Sequence, residues 1–216
     1  ISGVRASRYC AVFIAVPCGS YSVARILKPW ALDDDGPPQV RDVFHPLGLP
    51  GLDQRRQREV SLANLVTWRS FAIAKVAALT GAVVMVENPV DRGVGSPWSQ
   101  PWSESHAPLW DMPCVRRWKA EFEAEAVDFA QCAFGGEFQK LTTLLVTPNA
   151  SCAMDPFRRA ICTHAAHEAV ARGKDELGRY VTARAAAYPA ALNRAIAEAI
   201  ALSVDRACLG EAGASQ

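Results

Sequence analysis

The stretch Ala11–Ser22, AVFIAVPCGSYS, decides how the chain is read. Its first six residues, Ala11 to Val16, are apolar and rich in β-branched and aromatic types, and they run into a Pro17-Cys18-Gly19-Ser20 turn. A short, wholly apolar run bounded by such a turn predicts a strand buried on both faces of a parallel sheet. In open α/β sheets chemistry gathers at the carboxyl ends of the strands, which places Cys18 at the mouth of a site, with Pro17 fixing its approach. Free backbone amides in a strand-end turn favour the thiolate, the form in which sulfur attacks. A second such run, Ala82–Val86, ends in Glu87-Asn88-Pro89. A carboxyl there can protonate or hydrogen-bond whatever the sulfur attacks. The plain alternative is that Cys18 only packs, as buried cysteines commonly do, and that Glu87 caps a loop.

Outward from these two strands the chain alternates. Val60, Ala63, Leu65, Phe71, Val76 and Leu79 recur at three- and four-residue spacing and predict an amphipathic helix from about Arg56 to Leu79, stopped near Gly81. Strand, helix and strand in this order form a right-handed crossover. Before it, Lys28 to Asp53 carries Pro29, Pro37, Pro38, Pro46 and Pro50, which forbid a long helix and predict an irregular excursion above the sheet. After it, Asp91 to Pro108 is a loop holding Trp98 and Trp102. Asp111-Met112-Pro113 predicts a capped helix through about Glu125. Val127–Phe134 and Leu141–Thr147 predict an antiparallel pair joined through Gly135-Gly136. Asp155-Pro156 opens a helix that Gly173 ends, and Tyr188-Pro189 leads into a last helix, Ala185 to about Ala207. The expected fold is α/β: a mostly parallel sheet with an antiparallel C-terminal pair and helices on both faces, one domain over 1–208 with a flexible tail at 209–216.

Composition narrows the classes. A net charge of +1 supplies no electrostatic footprint for nucleic acid, so such a role needs a local basic patch. Seven cysteines, an odd number without tight pairing, read as reduced thiols of an intracellular protein of the cytoplasm or nucleus. No run approaches ~20 apolar residues, so no membrane span is expected, and no secretory leader is visible. A core-type strand so soon after Ile1 predicts a domain cut from a longer chain.

Pro17-Cys18 after one strand and Glu87-Asn88-Pro89 after a later one resemble the paired motifs of the cytosine-5 DNA methyltransferases, in the variant of divergent phage and mobile-element members. Phe134-Gly-Gly-Glu-Phe-Gln-Lys-Leu-Thr142 is similar to the family's aromatic-Gly-x-Pro-Gln-x-Arg-x-Arg motif, and Ala187–Leu192 to the segment before its last helix. The resemblance implies part of a Rossmann-like methyltransferase sheet. It makes Cys18 the nucleophile toward C6 of a flipped-out cytosine and Glu87 the acid at N3, with methyl transfer from S-adenosylmethionine to C5 of DNA. Pro17, Ser22, Asn88, Pro89, Lys140 and Thr142 would bind substrate, Asn88 and Pro89 by orienting the carboxylate. Lys140 and Thr142 stand where the family has its arginine pair, which removes bidentate recognition. The family's cofactor cradle, a Gly-rich turn and an acidic strand end, has no counterpart before Ala11, and Gly93-Val94-Gly95 and Gly135-Gly136 are misplaced for it. The cofactor residues are therefore unassigned. The alternative function is a catalytically inactive remnant that keeps the fold, with nucleic-acid binding as its remaining role.

Other constellations are weaker. Cys162, His164 and His167, with Cys152 upstream, suggest zinc. On a helix, at about 100° per residue, Cys162 and His164 would point to nearly opposite sides, so no metal is expected. A Cys–His hydrolase would pair Cys18 with His45 or His164. Val16 stands where the Asp-Pro-Pro-Tyr signature of amino-group methyltransferases needs an acid or amide. Trp98 and Trp102 offer base stacking but more commonly plug the domain's own surface. Arg55, Arg56 and Arg58 read as a solvated first helical turn.

Overall fold

The computed structural model describes residues 9–26, 37–167, 176–179 and 181–213. Four strands, β1 (Ala11–Ala15), β2 (Val83–Pro89), β3 (Glu125–Ala130) and β4 (Leu141–Val146), form one sheet in the order β1-β2-β4-β3. The helices are α1 (Gln54–Leu79), α2 (Pro113–Glu121), the single-turn α3 (Asp155–Arg158) and α4 (Ala190–Gly213). α1 makes the crossover between β1 and β2, which pair in parallel from Ala11 opposite Val83 to Ala15 opposite Glu87.

The chain is mixed α/β, but the sheet is not mostly parallel. β4 returns from β3 through a short 3₁₀ connection, Gln131–Phe134, and inserts between β2 and β3, antiparallel to both. β1·β2 is thus the single parallel pairing among the described residues. β1 is not buried on both faces either: it lies at the sheet edge, half-buried throughout, with Ala15 exposed. The apolar run reported a strand correctly; its place in the sheet is set by partners elsewhere in the chain.

Period-two alternation sends β2 side chains to two separate cores. Val84 and Val86 pack with Phe71, Ala74 and Trp118 of α1 and α2. Val83 and Met85 pack on the other face with Leu144, Phe157 and Leu192, below α3 and α4. Helices on both faces follow from this. α1 is also apolar on its outside, where Leu62, Trp68 and Leu79 are exposed. Among the described residues it alone has the length and apolarity to cross a bilayer, with mean hydropathy 1.2 over its best window, yet Val60, Thr67, Phe71, Ala74 and Ala77 seat it on the sheet.

Several element ends differ from expectation. Met112, not Asp111, occupies the α2 N-cap, while Asp111 pairs with Arg116 at 2.7 Å. Glu123, at φ 49°, turns the chain out of α2 so that β3 begins at Glu125. The helix opened by Asp155-Pro156 stops at Arg158: Ala160 N bonds back to Phe157 O at 3.0 Å instead of continuing the helical ladder, and Ala160 O accepts the β3 amide of Ala130 at 2.8 Å. Gly173, its expected end, lies outside the described residues. Val181–Ala186 is a 3₁₀ helix, and α4 starts only after Tyr188-Pro189. Of the proline-rich excursion, residues 28–36 lie outside the described residues, and the part from Pro37 is irregular as expected.

Candidate active site

Because β4 runs antiparallel to β2, the start of β4 and the end of β2 meet at one end of the sheet, with Pro89 opposite Thr142. The Pro17-Cys18 turn leaves parallel β1 at the same end. Glu87 follows Val83 and Met85 onto the α4 face of the sheet, and Lys140 shares that face with Thr142, Leu144 and Val146. The result is a convergence of Cys18, Glu87, Lys140 and Tyr188. Lys140 Nζ lies 3.9 Å from Glu87 Oε1 and 5.3 Å from the centre of the Tyr188 ring. The Tyr188 hydroxyl stands against the Glu87 carboxyl.

Glu87 is 5% exposed, and its Oε1 has no hydrogen-bond partner. A buried acceptor left in that state costs about 1–3 kcal/mol and is uncommon in folded chains. Burial pushes the Glu87 carboxyl up from the usual carboxylate range, against the opposing pull of Lys140 and Tyr188. Burial also raises the Cys18 thiol; Lys140 counters this and Glu87 adds to it. The turn therefore does not favour a resting thiolate: low polarity outweighs its backbone amides. Tyr188 is held neutral by burial and by the facing Glu87.

The turn that carries Cys18 is held from three sides. Tyr21 N donates to Cys18 O at 2.9 Å, and the Tyr21 hydroxyl shares a hydrogen bond with Thr67 of α1 at 2.9 Å. Arg25 donates to Gly19 O and to Pro38 O, and pairs with Glu59. Arg41, 3% exposed, reaches Ser20 Oγ, Pro46 O and Asn64 Oδ1, and its guanidinium lies 4.3 Å from the centre of the Tyr21 ring. His106 accepts from Arg92 N at Nδ1, so its Nε2 is the donor to Tyr21 O at 2.8 Å. None of these clamps was a candidate from sequence; Arg41, in an irregular proline-rich stretch, reads there as a solvated arginine.

The remaining expected binders are employed elsewhere. Asn88 does not orient the carboxylate; one position on from Glu87 it faces the opposite side, and its Nδ2 donates 2.7 Å to Val16 O, tying β2 to the residue before Pro17. The Pro89 carbonyl accepts from Trp110 Nε1 at 2.8 Å, and Pro17 is exposed. Ser22 caps a 3₁₀ turn through Ala24 N. Thr142 is fully buried and accepts from Gln131 Nε2 at 3.0 Å, which removes it from substrate contact. Trp98 donates to Asp128 at 2.7 Å and so plugs the domain surface. Arg56 pairs with Asp53, the α1 N-cap. His45 pairs with Asp42, and His164 approaches Cys162, so neither serves Cys18 as a hydrolase base. That last contact, Cys162 Sγ to His164 Nδ1 at 3.8 Å, also corrects the helical projection: residues 161–167 are not helical, and the two side chains do not diverge.

A cavity of about 240 Å³ opens beside the cluster, walled by Gln131, Gly136, Phe138, Lys140, Arg184 and Tyr188. Lys140 and Tyr188 join it to Glu87; Cys18 and Glu87 are not on its wall. Tyr188 was visible in the sequence only as the lead into the last helix. For S-adenosylmethionine the described residues offer no cradle. Gly93 stands against Asp91 and His106 in the loop after β2, and Gly135 ends the 3₁₀ turn after β3 at φ 82°. Comparison with protein families, with characterised proteins and with solved structures finds no match to this chain.

Proposed function

We propose that this chain activates a pyrimidine in the manner of a cytosine-5 DNA methyltransferase, with Cys18 as the nucleophile toward C6 and Glu87 as the acid at N3. The observation that carries the reading is the buried Glu87 oxygen without a hydrogen-bond partner, next to a thiol and a lysine at the end of two parallel strands. Cys18 and Glu87 interact electrostatically, so losing a proton from one hinders losing it from the other. With one proton shared between them, the state that holds it on Glu87 leaves a thiolate facing Lys140. Sulfur then bonds to C6, the ring electrons shift to N3, and N3 takes the proton from Glu87. Expulsion of the thiolate and return of the proton reverse the step. Tyr188 stands between the cavity and Glu87, and its displacement admits the ring. S-adenosylmethionine would supply the methyl group; as no described residues fit it, none of these steps passes through it. DNA is the proposed partner, by the same resemblance.

The test needs no methyl donor. Reversible addition at C6 makes C5 exchange its hydrogen with water, so release of tritium from [5-³H]cytosine in DNA reports the step directly. Cys18→Ala is expected to abolish release, while Cys152→Ala, at an exposed cysteine, leaves it intact. Glu87→Gln is expected to slow it by roughly 10²–10⁴, the span of general acid catalysis. Release that survives Cys18→Ala contradicts the mechanism. A second reading is a remnant that keeps the fold without turnover; it predicts no release from the wild-type chain.

A further inference from the structure

Away from this cluster, four metal-binding side chains meet. Cys132 lies in the 3₁₀ turn after β3, and Cys162, His164 and His167 lie in the segment after α3. Their donor atoms all fall within 4.8 Å of one another. Cys162 Sγ is 3.3 Å from His167 Nε2 and 3.8 Å from His164 Nδ1. Four ligands at zinc bond lengths sit about 3.3–3.8 Å apart on the corners of a tetrahedron, so only small adjustments separate this arrangement from a closed site. Two thiolates and two neutral imidazoles balance a dication, and this donor set selects zinc over the hard cations.

The surroundings fit a structural metal. Gln139 Nε2 donates to Cys162 Sγ at 3.7 Å, as second-layer groups do for thiolate ligands. Residues 161–167 have no regular structure, and Ile161, 66% exposed, gives the segment little apolar burial to hold it. Cys132 is buried at the end of β3, with Val90, Ala130 and Leu141 around it. We propose that Cys132, Cys162, His164 and His167 bind one structural Zn²⁺ that fastens the segment after α3 to the β3–β4 connection. Through Gln139 the same clamp steadies the residue next to Lys140.

The test uses the full chain, reduced, stripped with a chelator and titrated with Co²⁺. The expected result is one equivalent bound with the intense visible spectrum of tetrahedral cobalt and a thiolate charge-transfer band, displaced stoichiometrically by Zn²⁺. Outer-layer changes alone weaken metal sites about 10–100-fold, so Cys162→Ser and His167→Asn should each weaken binding at least ~100-fold. Cys152→Ser, outside the cluster, should leave it unchanged. If a ligand variant fails to fold, the wild-type spectrum decides by itself. No tetrahedral spectrum, a spectrum indifferent to Cys162→Ser, or a Cys132–Cys162 disulfide in the reduced preparation would overturn the proposal.

Discussion

Glu87 sits where a carboxylate is costly. Its raised pKa, caused mainly by burial, has a measurable consequence for stability. From the ordinary value of 4.5 up to the native value, the folded chain keeps a proton that the unfolded chain has released, so stability falls as pH rises through that window. Glu87→Gln is neutral at every pH and lacks this dependence. Thermal melts at a series of pH values should show the variant gaining on the wild type above pH 4.5 and the difference levelling off beyond the native value. A difference that does not change with pH would mean that the carboxyl ionises alike in both states. That Cys18 and Glu87 lie at the same end of the sheet could be read from two strand ends, because strand-end position is a local property. The sequence also held the fact that Glu87 shares the Met85 face. Lys140 and Tyr188 were harder, since their meeting with Glu87 depends on where β4 inserts and where α4 docks.

The elements divide the same way. α1 and the two parallel strands were legible because each is a long run with a local stop, Gly81 for α1, although Leu65 and Leu79 of the expected apolar stripe are exposed; Gly81 takes φ 77°, which a side chain would resist. α3 misled because nothing in Arg159-Ala160-Ile161 breaks a helix; past Arg158 the chain instead bonds to β3, whose Ala130 amide donates to Ala160 O, a contact set by the fold and not by local sequence. What anchors this single turn is Phe157, fully buried between Phe129 at 5.3 Å and Phe134 at 5.7 Å between ring centres. Phe157→Ala should therefore cost about 3–5 kcal/mol, much of the stability of an ordinary domain. Leu79→Ala, on the exposed side of α1, should stay within about 0.5 kcal/mol. Urea unfolding of the two variants separates them, and equal losses would show that α3 does not carry the packing assigned to it.

At the scale of the molecule, the sheet carries the cluster of Cys18, Glu87 and Lys140, and the irregular connection before α1 holds the Cys18 turn in place. Arg41 is the joint. It comes from the proline-rich excursion, reaches Ser20 beside the Cys18 turn, and reaches Val60 O and Asn64 Oδ1 on α1. Three parts of the chain that share no strand are therefore held by one guanidinium. Its fork makes several bonds in fixed directions, which an ammonium does not reproduce. Arg41→Lys keeps the charge and should still loosen the turn, while Arg41→Ala also strands buried oxygens at about 1–3 kcal/mol each. The reporter is Cys18 itself, half-buried in the native chain. Its rate of alkylation by a bulky maleimide, followed by peptide mass, should rise in Arg41→Lys and rise further in Arg41→Ala. Both rates are to be taken at a temperature where circular dichroism shows each variant folded. In the same variants Cys132, held on the far side of the sheet's β3 end, should keep its wild-type rate, because Arg41 touches nothing near it. If Cys18 reacts no faster in either variant, the Asn88 bond to Val16 O and the Tyr21 bond to Thr67 suffice to hold the turn, and the connection is only a cover.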